Sequence, residues 1–350
     1  MADRYLQPVM LALMFVLNLA GCDVSEQENQ AVRQPVHISG PTMGTWYSVT
    51  VIPPDANLDT TVLSSELSSD INQLLASLNK LMSTYDPASE LSRFNQSAAG
   101  TEFTFSKDTA AVLRMALELS VRSDGAFDVT VGPVVNLWGF GPNGRFKKKP
   151  DSETLALALK RVGYQYLQWT GENTIVKRGP VYVDLSAIAK GYAVDKVAEL
   201  LVEKGYHRYL VDIGGELKAG APKAEHINWN VAVEQPVAGE RAVQKVLSLR
   251  QMGIATSGDY RNFYEIEGKR YSHTIDPRGG MPVEHSLASV SVLHESVAYA
   301  DALATTLMVL GAKDGEAFAE KLGVAAYFIE KHSSGFTVTS TTGFLNYINR

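Results

Sequence analysis

A single cysteine, Cys22, is present in the 350 residues, so no internal disulfide can form. There is no P-loop, no CxxC and no HExxH, and no GxGxxG joins a predicted strand to a helix. P-loop hydrolysis, zinc peptidase chemistry and nicotinamide-type Rossmann binding therefore lack their signatures. Basic stripes are absent too. Only Lys147, Lys148 and Lys149 cluster, in what reads as a solvated loop, and the formal net charge is -6. That balance argues against nucleic acid as a partner. No internal repeat or low-complexity run follows the N-terminal region. The apolar run there, residues 9–17, is too short to span a bilayer comfortably but suits a signal-peptide core, despite Arg4 being partly offset by Asp3.

What is present points to chemistry near the C-terminal end. YADALATTLMVLG (residues 299–311) reads as a helix of Ala, Leu, Met and Val, buried on most sides. Asp301 interrupts that surface, and a buried carboxylate is costly unless a cation or donors satisfy it. Thr305 falls one turn along on the same face. A carboxylate beside a hydroxyl offers the hard oxygens that Mg²⁺ prefers. The ordinary alternative is that Asp301 binds a Lys or Arg, or caps a neighbouring turn. SHTIDPRGG (residues 272–280) adds His273, able to take a proton near neutral pH. Metal plus base suggests chemistry on a phosphate.

Strands are expected at 45–51, 164–169, 174–177, 181–184, 208–213, 228–233, 243–249, 263–266 and 289–293, with a final hairpin over 324–330 and 335–340. Helices are expected at 59–82, with a stripe of Leu63, Leu67, Ile71, Leu74, Leu78 and Met82, and at 107–120, 151–161 and 186–204. A further helix ends near Gly323. Runs of consecutive strands between a few helices favour α+β, a bilobal single domain with a mostly antiparallel or mixed sheet flanked by helices.

Four glycine-bearing segments are candidates for ligand contact. DLSAIAKGYAVD (184–195) leads from a strand end into a helix, where free N–H groups form a natural phosphate site and Lys190 adds charge. Equally, Asp184 or Ser186 caps the helix and Lys190 is solvated. VDIGGELKAG (211–220) brings backbone close to a ligand or makes a plain hairpin turn. GIATSGDYRN (253–262) suits tight contact, and GAFDVTVGPVVNLWGFG (125–141) reads as either a ligand loop or core strand and loop.

Two resemblances organise these pieces. LAGC, ending at Cys22, resembles the lipobox of bacterial lipoproteins, and Asp23 resembles the signal that retains such proteins in the inner membrane. The organisation implied is a signal peptide (1–21), a lipidated Cys22 with a polar tether (22–38) and a domain (39–350) at the periplasmic face. In addition, GPTMGTWYSV, LMSTYDPASELSRFN, GAFDVTVGPVVNLWGFG, DLSAIAKGYAVD, VDIGGEL, ATSGDYRNF, YSHTIDPRGGMPV and ADALATTLMVLG occur in an order that resembles the ApbE family of FAD:protein FMN transferases.

That resemblance implies FAD as substrate, Mg²⁺ as cofactor, and a target-protein threonine attacking the FMN-side phosphorus as AMP leaves. Targets implied are subunits of Na⁺-translocating NADH:quinone reductase and the Rnf complex, carrying a motif like Asp-Gly-x-Thr-Ser/Thr-x-Thr. Carried over by position, Asp301, Thr305 and the Ala187 carbonyl would hold metal. Met43, Tyr85, Ala126, Phe127, Asp128, Asp184, Lys190 and Ile275 would contact FAD, and His273 would activate the threonine. One departure is visible: Gly279 stands where the family often has Thr after Asp-Pro-Arg. Two other readings compete, an FAD pyrophosphatase using water as acceptor and a lipid-anchored FAD carrier.

Overall fold

The computed structural model describes residues 34–142, 148–237, 242–260, 263–266 and 269–348. Cys22, Asp23 and the signal-like run lie outside the described residues. The described residues from 34 onward form one compact unit, and its first strand starts at Val36, within the stretch read as tether.

β1 (Val36–Thr42) and β2 (Thr45–Val51) make a two-residue hairpin. Its turn residues Met43 and Gly44 both take positive φ, 47° and 73°, the backbone twist such hairpins favour. α1 (Thr60–Met82) is capped by Asp59, whose carboxylate accepts from the N–H groups of Thr61 and Val62. Its buried stripe is Leu63, Leu67, Ile71, Leu75, Leu78 and Met82. Leu75 therefore replaces the expected Leu74, which sits half-buried on the flank of the stripe; both spacings suit a repeat of about 3.6, and packing decides between them.

Next come α2 (Glu90–Gln96), β3 (Glu102–Thr104), α3 (Lys107–Arg122), α4 (Gly132–Leu137), α5 (Ser152–Leu159), β4 (Leu167–Trp169) and β5 (Thr174–Lys177). The strand expected from residue 164 opens instead as a 3₁₀ turn, Tyr164–Tyr166. Residues 181–184 are not a strand of any sheet; only an isolated bridge joins Tyr182 to Val131. A side chain takes the place of a neighbouring strand. Asn95 Nδ2 donates to the Val183 carbonyl at 2.8 Å, and the Val183 N–H donates to Asn95 Oδ1 at 2.7 Å. The Asp184 N–H donates to the Val129 carbonyl at 2.7 Å. With these bonds made, the segment needs no ladder.

The rest of the chain runs α6 (Ala189–Glu203), β6 (Tyr209–Ile213), β7 (Glu216–Ala219), β8 (Trp229–Glu234), β9 (Val243–Leu249), β10 (Met252–Gly258), β11 (Phe263–Ile266), β12 (Lys269–Ser272), β13 (Ile275–Asp276), β14 (Met281–Pro282) and β15 (Leu287–His294). It closes with α7 (Val297–Leu322), β16 (Ala325–His332), β17 (Gly335–Ser340) and α8 (Thr342–Ile348). α7 breaks at Gly311, whose φ of 77° and ψ of 176° are not helical, and this agrees with the two helices expected there. The segment from Gly253, read as suited to tight contact, is strand β10 for most of its length.

Eight strands form one antiparallel sheet in the order β1-β2-β6-β7-β10-β15-β16-β17. This bears out the α+β expectation. One face carries the main core, where Val49, Val211, Ala255, Val290 and Phe328 meet Leu67, Val194, Leu303 and Leu307 of the helices. The other face is only partly covered. There the β8–β9 hairpin and α8 pack Trp229, Val231, Val233 and Phe344 against Ile254, Leu293 and Ile329. β15 is therefore buried on both faces, with seven of its eight residues buried.

Candidate active site

The site is built where α6 meets α7. A Cβ at Gly191 would lie 2.4 Å from the Val297 carbonyl oxygen and 2.8 Å from Ala298 Cα, so only glycine lets these helices approach so closely. The contact sets the first turn of α6 against Asp301. No side chain caps α6 at Ile188. Instead the Gly191 N–H, a donor with no partner in its own helix, donates to Asp301 Oδ2 at 3.1 Å. The positive end of α6 thus faces a carboxylate, as the helix dipole favours.

Lys190 completes the junction. Its Nζ lies 2.6 Å from Glu216 Oε1 and 4.0 Å from Asp301 Oδ2. Burial pushes the Asp301 carboxyl up from its ordinary range, against the pull of Lys190 and the Gly191 N–H. Burial also pushes Glu216 up, to about 7, with Lys190 opposing and Asp301 adding to the rise. For Lys190 itself burial works downward, but the two carboxylates outweigh it and the ammonium is held charged. One cation is shared by two buried acids, and Glu216 Oε2 is buried without a hydrogen-bond partner. The cluster has room for more positive charge.

A pH signature follows. Burial holds the Glu216 carboxyl up at about 7 in the folded chain, above the value of about 4.3 for an exposed glutamate. Between those values the folded state binds the extra proton, so this group's contribution to stability falls as pH rises. Glu216→Gln is expected to flatten that fall, read as the change in urea midpoint between about pH 5 and about pH 7.

Beside the junction lies a cavity of about 1410 Å³. Asp301 and Thr305 line it from successive turns of α7, together with Ala187 and Lys190. Tyr85, Ala126, Phe127, Asp128, Asp184, His273 and Ile275 line the same cavity. Met43 does not. In the β1–β2 turn its side chain packs against the main core, while its neighbours Thr45 and Trp46 reach the cavity.

Several of these residues have visible supports. Asp128 Oδ1 accepts from the Thr130 N–H (2.8 Å) and hydroxyl (2.6 Å), and Oδ2 accepts from the Tyr164 N–H (2.9 Å). Its carboxylate therefore braces the loop that carries Ala126 and Phe127. Asp184 Oδ1 accepts from the Ser186 N–H at 2.9 Å and the Ser186 hydroxyl at 2.5 Å. It closes a turn ahead of α6 and does not cap the helix; nor is Lys190 merely solvated. His273 follows β12, with its ring edge-on to Phe140 at 6.3 Å. Phe140 stacks on Tyr264 at 4.3 Å, and the Tyr264 hydroxyl donates to the Gly139 carbonyl at 2.5 Å. Ile275 belongs to a small core with Val134, Trp138 and Tyr271. Arg278 doubly grips Asp276, and a Cβ on Gly279 would meet nothing within 4 Å, so the turn has room for a larger residue there.

Among the described residues no three His, Cys, Asp or Glu side chains gather as a metal cluster. At the positions the resemblance implies for metal, the donors are the Asp301 carboxylate, the Thr305 hydroxyl and the Ala187 carbonyl, all on the cavity wall. Such a sparse oxygen set suits Mg²⁺, which usually takes one or two carboxylates and completes its shell with water and substrate phosphates. The ordinary alternative for Asp301 also holds in part, since Lys190 and Gly191 partner it here. Glu216 was not singled out by the sequence, although it follows the Gly214–Gly215 turn; Trp46, 67% exposed at the cavity, was likewise missed.

A model of the ApbE family matches residues 43–328. Across 342 residues the chain is 41% identical to the FAD:protein FMN transferase of Vibrio cholerae, covering 97% of this chain and 99% of that one. The FAD:protein FMN transferase of Escherichia coli is 37% identical over 342 residues, 96% of this chain and 95% of its own. Among solved structures, the flavin transferase ApbE from Vibrio cholerae superposes with a TM-score of 0.82 at 42% identity, covering 90% of this chain and 99% of that chain. The apo flavinyl transferase ApbE of Pseudomonas stutzeri also reaches 0.82, at 40% identity, over 91% of this chain and 98% of that chain.

Proposed function

The chain belongs to the ApbE family, and we propose that, as an FAD:protein FMN transferase, it works through the residues gathered around Asp301 and His273. It moves the FMN part of FAD onto a target protein. In our reading the acceptor is a threonine hydroxyl. His273 takes the hydroxyl proton on a ring nitrogen as the threonine oxygen bonds to the FMN-side phosphorus. The bond from that phosphorus to the bridging oxygen breaks, and AMP leaves with the electron pair. FMN remains on the protein as a phosphoester.

Asp301, Thr305 and the carbonyl of Ala187 would hold Mg²⁺, which neutralises charge on the pyrophosphate being cleaved. Lys190 adds a fixed positive charge beside the phosphates while Glu216 holds its ammonium in place. Tyr85, 68% exposed, offers an aromatic face to a flavin or adenine ring. Ala126, Phe127, Asp128, Asp184 and Ile275 shape the FAD pocket, and Met43 supports it from the hairpin behind. The observation that carries this reading is the shared cavity: Asp301, Thr305, His273 and every FAD-side residue except Met43 line it.

The test is stoichiometry. A form beginning after Cys22, given FAD, Mg²⁺ and an acceptor domain with the threonine motif, is expected to release one AMP per modified acceptor. AMP without acceptor labelling would mean hydrolysis, and FAD binding without AMP would mean a carrier.

The targets in our reading are subunits of the Na⁺-translocating NADH:quinone reductase and Rnf type. The anchor is a lipid on Cys22 at the periplasmic side of the inner membrane, supported by LAGC and Asp23. Lipid labelling that persists in Cys22→Ser would sink the anchor.

A further inference from the structure

A polypeptide acceptor needs a seat beside the catalytic groups, and we propose that it docks as an extended strand along the open edge of β8, which delivers its hydroxyl to His273. This rests on the transferase reading above. Five consecutive residues of β8, from Asn230 through Glu234, line the same cavity as His273 and Asp301. A strand that turned one face to a cavity would contribute every second residue. An unbroken run means that the backbone edge itself faces the space. β8 pairs only with β9 among the described strands, so no described strand lies against its other edge.

The ladder tells which groups that edge presents. The Gln235 N–H donates to the Ala242 carbonyl at 2.8 Å, so Gln235 points toward the β9 side. Antiparallel pairing turns alternate residues the other way, which directs the N–H and C=O of Asn230 and Ala232 to the open edge. Their side chains are exposed, whereas Trp229, Val231 and Val233 are buried in the second core. The edge is therefore both accessible and rigidly held. Strand addition draws its affinity from main-chain hydrogen bonds, and this edge offers them.

Apolar surface is present alongside. Trp46 is 67% exposed and lines the same cavity, the type of aromatic side chain that anchors protein contacts. The residues given to FAD lie on other elements: Met43 in the β1–β2 turn, Tyr85 after α1, the loop around Ala126, Asp184 and Lys190 around the start of α6, and Ile275 on β13. The β8 edge is free for the second substrate.

Ala232→Pro removes one outward N–H without breaking a bond to β9, and proline is tolerated at such edge positions. Ala232→Val keeps the N–H. With the full chain, FAD, Mg²⁺ and an acceptor domain bearing the threonine motif, Ala232→Pro is expected to raise the acceptor KM about five- to tenfold. FAD affinity should stay unchanged, and Ala232→Val should raise the acceptor KM less than Ala232→Pro does. In the parent chain, hydrogen exchange at the Asn230 and Ala232 amides is expected to slow when the acceptor domain is added, whether or not FMN passes. An unchanged acceptor KM in Ala232→Pro, or no slowing at those amides under saturating acceptor, overturns the docking edge. An equal loss of FAD affinity also overturns it, by placing the edge in the FAD site. A parent chain that shows the slowing yet transfers no FMN supports the edge and refutes the transferase reading instead.

Discussion

Asp301→Ala is expected to lower FMN transfer about a thousandfold or more, since a metal's stabilisation of transferred phosphoryl charge is worth several kcal/mol and each 1.4 kcal/mol is about tenfold. The chain should remain folded. Lys190 keeps its 2.6 Å contact with Glu216, and the carboxylate that is lost was itself costly to bury. What the change leaves behind is the Gly191 N–H, which donates to Asp301 Oδ2 in the parent; a buried donor without a partner costs about 1–3 kcal/mol. Asp301→Asn separates the two effects. Its amide oxygen still accepts from Gly191, so stability should return while transfer stays low. Proton linkage adds a second signature: the elevated Asp301 carboxyl must lose its proton to bind metal, so the Mg²⁺ needed for half-maximal rate should rise as pH falls. Rates at several Mg²⁺ concentrations, with urea melts of both variants, check all three statements. Full transfer activity in Asp301→Asn would remove the metal from this site.

His273→Ala is expected to lower kcat about a hundred- to ten-thousandfold, the range a positioned general base supplies. FAD affinity should be nearly unchanged, because the ring is assigned to the incoming hydroxyl and not to FAD. A base must be unprotonated to accept the threonine proton, so the parent rate should climb with pH and the variant should lose that limb. Single-turnover transfer followed by intact mass separates this loss from slow product release. A kcat within a few-fold of the parent would assign the base to another residue.

Local patterns in the sequence located much of this architecture, and long-range partners explain most of what they missed. β2, β5, β9, β11 and β17 run as expected because their alternation and flanking turns are local properties. Residues 181–184 have the composition of a strand, yet their hydrogen bonds go to Asn95 and Val129, partners that no local window reveals. The helix α8 was not anticipated; Phe344 is held there by the second core, stacked on Tyr327 of β16 with ring centroids 5.0 Å apart. At the site, Asp301, Thr305 and His273 were legible as chemically unusual residues in their segments. Glu216 was not, since its meaning comes from Lys190, which precedes it by a helix and a strand in the chain and meets it only through the fold. The open edge of β8 was illegible for the same reason: an unpaired edge is a property of the sheet, not of the strand.

The most direct test is a crystal structure of the chain with FAD and Mn²⁺ in place of Mg²⁺, read by the anomalous signal of the metal. A peak within about 2.0–2.3 Å of both Asp301 and Thr305 oxygens, touching the pyrophosphate, with His273 facing the FMN-side phosphorus, is the result expected. A metal peak elsewhere, or FAD bound with its pyrophosphate away from Asp301, would contradict it.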